Sequence, residues 1–216
     1  MSIRKINFAE GEFYHLYNRG NSKQIIFKDK SDYRHFIHLL YLSNTKNNFR
    51  INDISKDFFN FDQGQKIVSI GAYCLMPNHF HILITQNEDG GISKFMQKLS
   101  TAYSMYYNKK YERTGGLFEG KFKSRYIDTD KYLKYLFSYI HLNPIKLIQK
   151  DWKDVGIRSR AEAIVFLNKY SYSSYLDWTD KYREENKILD IEVFPNYFST
   201  NNLFKKEIFE WLEYLK

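Results

Sequence analysis

The chain has 216 residues, enough for one sizeable core, and no segment departs so far in composition that it demands a domain of its own. Thirty-three Lys and Arg against twenty-five Asp and Glu leave a net charge of +8, which favours a polyanionic partner without requiring one. The single cysteine, Cys74, excludes a disulfide framework and a cysteine-built zinc site within one chain, and no apolar run approaches the roughly eighteen residues of a membrane span.

Met1-Ser2-Ile3-Arg4-Lys5 is not followed by the apolar stretch of a signal peptide, so a reduced, cytoplasmic protein with no membrane contact is expected. Nineteen Tyr, eighteen Phe and three Trp exceed the usual needs of one core, and any that reach the surface can stack on unpaired bases.

Phe13 to Asn18 is rich in β-formers and leaves through Arg19-Gly20-Asn21, which predicts a first strand and a turn. Ser31 is placed to cap a helix in which Tyr33, Phe36, Ile37, Leu40 and Tyr41 recur at helical spacing. Residues 44–66 read as a loop insertion. Ile67 to Leu75 predicts a buried strand, and Pro77-Asn78 breaks it before His79 to Thr85 resumes as the second arm of a hairpin.

Ile92, Phe95, Met96, Leu99, Ala102, Tyr103 and Tyr106 mark a helix of about four turns, ended by Gly115-Gly116. Phe118 to Ile127 is a further strand candidate. Asp128 or Thr129 can cap the next helix, with Leu133, Leu136, Phe137 and Ile140 as its apolar stripe and Pro144 as its stop. Leu203 to Leu215 predicts a last amphipathic helix in a tail that is net acidic. The order of elements predicts an α+β fold: a ferredoxin-like split β-α-β antiparallel sheet with helices on one face, over residues 1–178, followed by a C-terminal helical extension over 179–216.

Strand residues two apart face the same way, so His79 and His81 project together while Phe80, Ile82 and Ile84 enter the opposite layer. Two such imidazoles can grip one metal ion, although a bare His-x-His is more often a pair of ordinary strand histidines. Helix residues four apart share a face, so Tyr139 and Asn143 can present a phenol and a carboxamide to one point. Tyr139 can then attack while Asn143 helps ligate the ion; the plainer alternative is that Tyr139 packs and Asn143 ends the helix. Tyr103 is a rival nucleophile, but no Asn or Gln stands four residues beyond it. His141 lies two residues from Tyr139 and faces away, and His15, His35 and His38 read as packing or solvated residues. Lys94 to Arg125 holds eight basic and two acidic side chains, and its Lys109, Lys110, Arg113, Lys121, Lys123 and Arg125 can track phosphates.

Four segments in order carry a family resemblance: Tyr14-His15-Leu16-Tyr17-Asn18-Arg19-Gly20-Asn21, Met76-Pro77-Asn78-His79-Phe80-His81-Ile82-Leu83, Gly115 to Ser124, and Tyr139-Ile140-His141-Leu142-Asn143-Pro144, with a weaker match at Tyr172-Ser173-Ser174-Tyr175. Together they resemble the REP-associated tyrosine transposases, relatives of the insertion-sequence single-strand transposases in the HUH nuclease superfamily. The resemblance implies His79 and His81 as the metal pair with Mg²⁺ or Mn²⁺ as cofactor, Tyr139 as the nucleophile, Asn143 as a further ligand, and DNA contacts at Arg19 and around Lys121 to Arg125. It implies a metal-dependent transposase that cleaves and rejoins single-stranded or hairpin DNA through a 5′-phosphotyrosine intermediate, as a monomer or homodimer. The competing expectation is a catalytically silent, domesticated protein of the same fold that binds structured DNA or RNA.

Overall fold

A computed structural model describes residues 7–47, 49, 51, 54, 57–179, 181–198 and 200–210. Strands β1 (Tyr14–Arg19), β2 (Val68–Met76), β3 (His79–Gln86) and β4 (Lys123–Tyr126) form one sheet in the order β2-β3-β1-β4, with every neighbouring pair antiparallel. Helices α1 (Lys30–Leu42) and α2 (Gly91–Lys110) connect them in the split β-α-β pattern expected from the sequence. Then follow α3 (Asp130–Leu142), α4 (Trp152–Val155), α5 (Arg160–Leu167) and α6 (Asn201–Glu210), with short 3₁₀ turns between.

The expectation of helices on one face holds only for α1 and α2. They cover the face bearing Leu16, Phe80, Ile82 and Ile84, whereas α3, α5 and α6 cover the opposite face over Ala72, Cys74, Met76 and Leu83. Both faces are therefore covered over β2, which is buried along its whole length. That double burial is why Ile67 to Leu75 reads as a continuous apolar run rather than an alternation. A bulge between Ile70 and Ala72 also switches the parity of β2, so Ile70 and Tyr73 lie in one core while Ala72 and Cys74 lie in the other. At the bulge, a Cβ on Gly71 would stand 2.9 Å from the Phe194 ring, which brings the C-terminal tail against β2.

Local chemistry moves three boundaries. Asp29, not Ser31, is the N-cap of α1: its carboxylate accepts from the Ser31 and Asp32 amides, and Asp32 reaches back to complete a capping box. Helix α2 ends at Lys110, before Gly115-Gly116, because the Lys110 ammonium is held 2.8 Å from both Asp29 and Asp32 and the chain reverses through Glu112 at a φ of 50°. The strand expected over Phe118 to Ile127 shrinks to β4, since Gly120 at a φ of 69° accepts from the Asn18 side chain and breaks the ladder there. The insertion at 44–66 lies partly outside the described residues; in its described part Gln63 donates to the Tyr41 carbonyl and Asn44 accepts from the Ile67 and Val68 amides, anchoring its two ends. The final helix is described over α6, and residues 211–215 of the expected helix lie outside the described residues.

Helix α3 is fastened to the sheet by one buried relay. The His141 Nδ1–H donates to the Phe137 carbonyl at 2.9 Å, so its Nε2 accepts from the Ser174 hydroxyl at 2.8 Å, and Ser174 Oγ accepts from the Tyr73 amide at 2.9 Å. The Tyr172-Ser173-Ser174-Tyr175 motif is thus a strut between α3 and β2. Arg183 then grips Asp177 and the Ser173 carbonyl, holding the start of the tail to the strut. Burial lowers the His141 imidazole to about 3. Its folded value lies below its ordinary one, so the unfolded chain binds the proton the native state refuses, and stability is lost as pH falls below 6.5 toward 3. One pH unit below the ordinary imidazole value the loss is about 1.4 kcal/mol for one such histidine. Urea denaturation across that window should show the decline, with a shallower slope in His141→Gln.

Candidate active site

The two-residue turn between β2 and β3 is held by backbone. The Pro77 carbonyl accepts from the Ile26 and Phe27 amides at 2.9 and 3.1 Å, and the Asn78 carbonyl accepts from the Gly20 amide at 2.9 Å. Alternation along β3 then sends Phe80, Ile82 and Ile84 into the core under α1 and α2, and His79 and His81 toward α3. Antiparallel register sets Tyr17 opposite His81 and Arg19 opposite His79. The His79 and His81 ring centroids are 5.0 Å apart.

Each histidine has its Nδ1 engaged. His79 Nδ1 lies 2.6 Å from Asn78 Oδ1, and His81 Nδ1 lies 2.8 Å from His15 Nε2. His81 Nε2 is buried without a hydrogen-bond partner, and so is Asn143 Oδ1. Orphaned buried polar atoms mark strain or a place for a missing water or ligand; these are two of ten such side-chain atoms among the described residues, singled out by their place beside Tyr139. Burial pushes His79 down to about 4, aided by the charges of Lys146 and Lys153 and opposed by the nearby Asn143 carboxamide; burial and its histidine neighbours hold His81 well below the usual range. Both rings are therefore neutral at physiological pH. Among the described residues no group of three or more His, Cys, Asp and Glu side chains is arranged to hold a metal ion, so a metal here would rest on two imidazoles and the Asn143 carboxamide.

Helix α3 supplies the remaining pieces. Thr129 caps it by accepting from the Tyr132 amide, and Asn143 sits at its C-terminal end in helical conformation where the chain tightens into a 3₁₀ turn through Pro144. Tyr139 and Asn143 accordingly share a face. The Tyr139 ring lies 5.4 Å from that of His81 and 6.3 Å from that of His15, between the stacked rings of Tyr135 and Trp152. Burial pushes the phenol up to about 12, against the hydrogen bond from Asn143 that favours the phenolate. The Lys153 ammonium donates to the phenol oxygen at 2.8 Å. A cavity of about 580 Å³ opens beside this group, lined by His15, Tyr17, His81, Arg125, Tyr139 and Lys153 among others. A larger cavity of about 700 Å³, between α2 and the segment before β4, is lined by none of these side chains.

The model of a family described as "Transposase IS200 like" matches residues 14–143, from the first residue of β1 to the carboxamide at the end of α3. The chain belongs to the IS200-like transposase family. A solved structure described as a REP-associated tyrosine transposase bound to a REP hairpin is similar at 13% identity and a TM-score of 0.48, over 86% of this chain and 90% of that one. No curated protein matches.

The tertiary structure sorts the basic side chains of this IS200-like transposase. Arg125 and Lys123 project from β4 on the α3 face, where Arg125 lies 4.4 Å from the Tyr132 ring and lines the site cavity. Arg19 is on the same face but is paired with Glu119, its Nη2 2.9 Å from Oε1. Lys109, Lys110 and Arg113 sit at the end of α2, across the sheet from the histidines, and Lys110 is bound up with Asp29 and Asp32. Lys121 lines the larger, separate cavity. Two cations that act on the histidines, Lys146 and Lys153, went unread in the sequence because they follow the Tyr139 helix in a stretch without periodicity. The sequence reads His15 as a packing or solvated residue; it is buried, yet it sits in the site, and its place two before Tyr17 on a strand that pairs with β3 is the signal that points there.

Asn143 Oδ1 has no hydrogen-bond partner, but the carboxamide also acts on Tyr139 and His79, so Asn143→Leu is expected to lower stability by about 1–3 kcal/mol, as for a lost buried polar contact. Thermal melts of the metal-free protein check this.

Proposed function

We propose that this IS200-like transposase is a metal-dependent single-strand endonuclease and strand transferase that works through a phosphotyrosine at Tyr139. The observation that carries the reading is the convergence of two orphaned acceptors, His81 Nε2 and Asn143 Oδ1, beside His79 and the Tyr139 phenol. His79, His81 and Asn143 would hold the ion. A divalent cation such as Mg²⁺ or Mn²⁺, when bound, supplies Lewis-acid polarisation and orientation of a phosphate oxygen. Imidazole donors suit Mn²⁺ better than Mg²⁺, whose preference is for oxygen.

The chain's own groups account for the rest. A phenol raised to about 12 is a weak nucleophile, and the Lys153 ammonium at its oxygen stabilises the phenolate as the proton leaves. Tyr139 oxygen attacks phosphorus, the bond to the 3′ oxygen breaks, and that oxygen takes up a proton to leave a free 3′-OH. The strand stays linked through its 5′ phosphate to Tyr139. Attack by another 3′-OH reverses the step and joins strands, with the phosphodiester energy kept in the protein link, so no nucleotide cofactor is consumed. Arg125 and Lys123 beside the cavity can neutralise flanking phosphates, and the rings of Tyr132 and Tyr135 offer stacking surface to unpaired bases. A single-stranded or hairpin substrate fits this better than plain duplex, because the scissile phosphate has to reach a pocket between sheet and helix.

Tyr139→Phe should retain hairpin DNA binding and lose both strand cleavage and the covalent adduct on a denaturing gel with labelled DNA. An adduct surviving in that variant places the nucleophile elsewhere; binding by the wild type with no nick under Mn²⁺ or Mg²⁺ favours a silent binding protein. Metal affinity should also resist acidification. A proton competes for a ligand nitrogen only near its own pKa, and His79 is held at about 4, so Mn²⁺ binding measured calorimetrically should be nearly flat down to about pH 6. A histidine of ordinary pKa would already lose roughly fourfold in affinity half a unit below 6.5.

A further inference from the structure

We propose that His15 is a positioning residue for the metal-binding pair: its Nε2 accepts the Nδ1–H of His81 and so turns the His81 Nε2 lone pair toward the ion. This rests on the reading above that His79 and His81 hold a divalent cation. The β1–β3 register sets His15 opposite Leu83, one step along the same sheet face from His81. At that diagonal the two rings overlap at 5.0 Å and 30°, with His15 Nε2 and His81 Nδ1 2.8 Å apart.

Two ring nitrogens at that distance share one proton between them, so there are two arrangements. If His15 donates, a neutral His81 carries its own proton on Nε2, which leaves a buried N–H without an acceptor and blocks the ligand position. If His81 donates, its Nε2 presents a lone pair to the same orphaned position, which is what a cation requires. His79 is arranged alike, its Nδ1 held by Asn78 Oδ1 at 2.6 Å. Each proposed ligand thus has its inner nitrogen fixed by an outer partner. For His79 the partner is the preceding residue; for His81 only the tertiary pairing of β1 with β3 can supply one. Without His15 the Nδ1–H of a metal-bound His81 is a buried donor with nothing to bond, and the ring is free to adopt the wrong tautomer.

The test is Mn²⁺ binding to the full chain, followed by calorimetry or by the loss of the free-ion EPR signal, with no DNA present. His15→Ala is expected to weaken Mn²⁺ about 10–100-fold, and His15→Gln, whose carboxamide oxygen can accept the Nδ1–H, to recover part of that loss. Nitrogen-detected NMR of the wild type should place the His81 proton on Nδ1. A folded His15→Ala that binds Mn²⁺ like the wild type, or a His81 proton found on Nε2 in the Mn²⁺-free and Zn²⁺-loaded protein alike, overturns the proposal. His79→Ala and His81→Ala distinguish the two levels. If they abolish binding while His15→Ala does not, only the role of His15 fails; if they too leave Mn²⁺ binding unchanged, the metal site itself is misread.

Discussion

The register of β1 against β3 is the constraint on which the site depends. Side chains alternate across a strand, so a one-residue slip would send His79 and His81 into the apolar layer under α1 and α2 and bring Phe80 and Ile82 out beneath Tyr139. That exchange is blocked by burial, because Phe80, Ile82 and Ile84 are wholly enclosed in one core and Leu83 in the other. The same register brings His15 and Tyr17 to the histidine face and carries Arg125 and Lys123 there through β4. Hydrophobic burial on one side of the sheet is thus what aims the polar chemistry on the other.

The described side chains that line the site cavity bring positive charge and neutral acceptors and no carboxylate. Arg125, Lys146 and Lys153 surround three imidazoles, and burial together with these charges keeps the rings unprotonated. Such a place disfavours added positive charge and favours a polyanion, so under the reading proposed above the phosphates of the substrate would offset these charges and favour the bound cation. The buried phenol belongs to the same scheme. Its ionisation is opposed by burial and favoured by Asn143 and Lys153, so the charge it would develop in the proposed attack has counter-charge already in place.

Much of the fold was legible in order and period. The apolar spacing in α1, α2 and α3 and the break at Pro77-Asn78 located the elements, and their order implied the antiparallel split β-α-β sheet. Boundaries were less legible where side chains far apart in sequence decide them: Lys110 ends α2 by reaching Asp29 and Asp32, and Gly120 shortens β4 by accepting from Asn18. The face occupied by α3 was not legible at all. A helix with one apolar stripe can lie on either side of a sheet, and β2, apolar on both sides with its parity switched at Gly71, offers no preference in its sequence.

For the site, residues near one another in the chain were readable from local geometry alone. His79 with His81 follows from the two-residue period of a strand, and Tyr139 with Asn143 from the four-residue neighbourhood of a helix. Family membership of residues 14–143 agrees with both segments standing in one transposase. What only the tertiary structure decided is how these two pairs meet and what surrounds them. His15 and Lys153 reach His81 and Tyr139 across β1 and α4, at 2.8 Å each, by strand pairing and helix docking. The sequence by itself determined the two local pairs, because periodicity is a local property; which residues meet them, His15 and Lys153 among them, is set by long-range packing, and that is written in no single stretch of the chain.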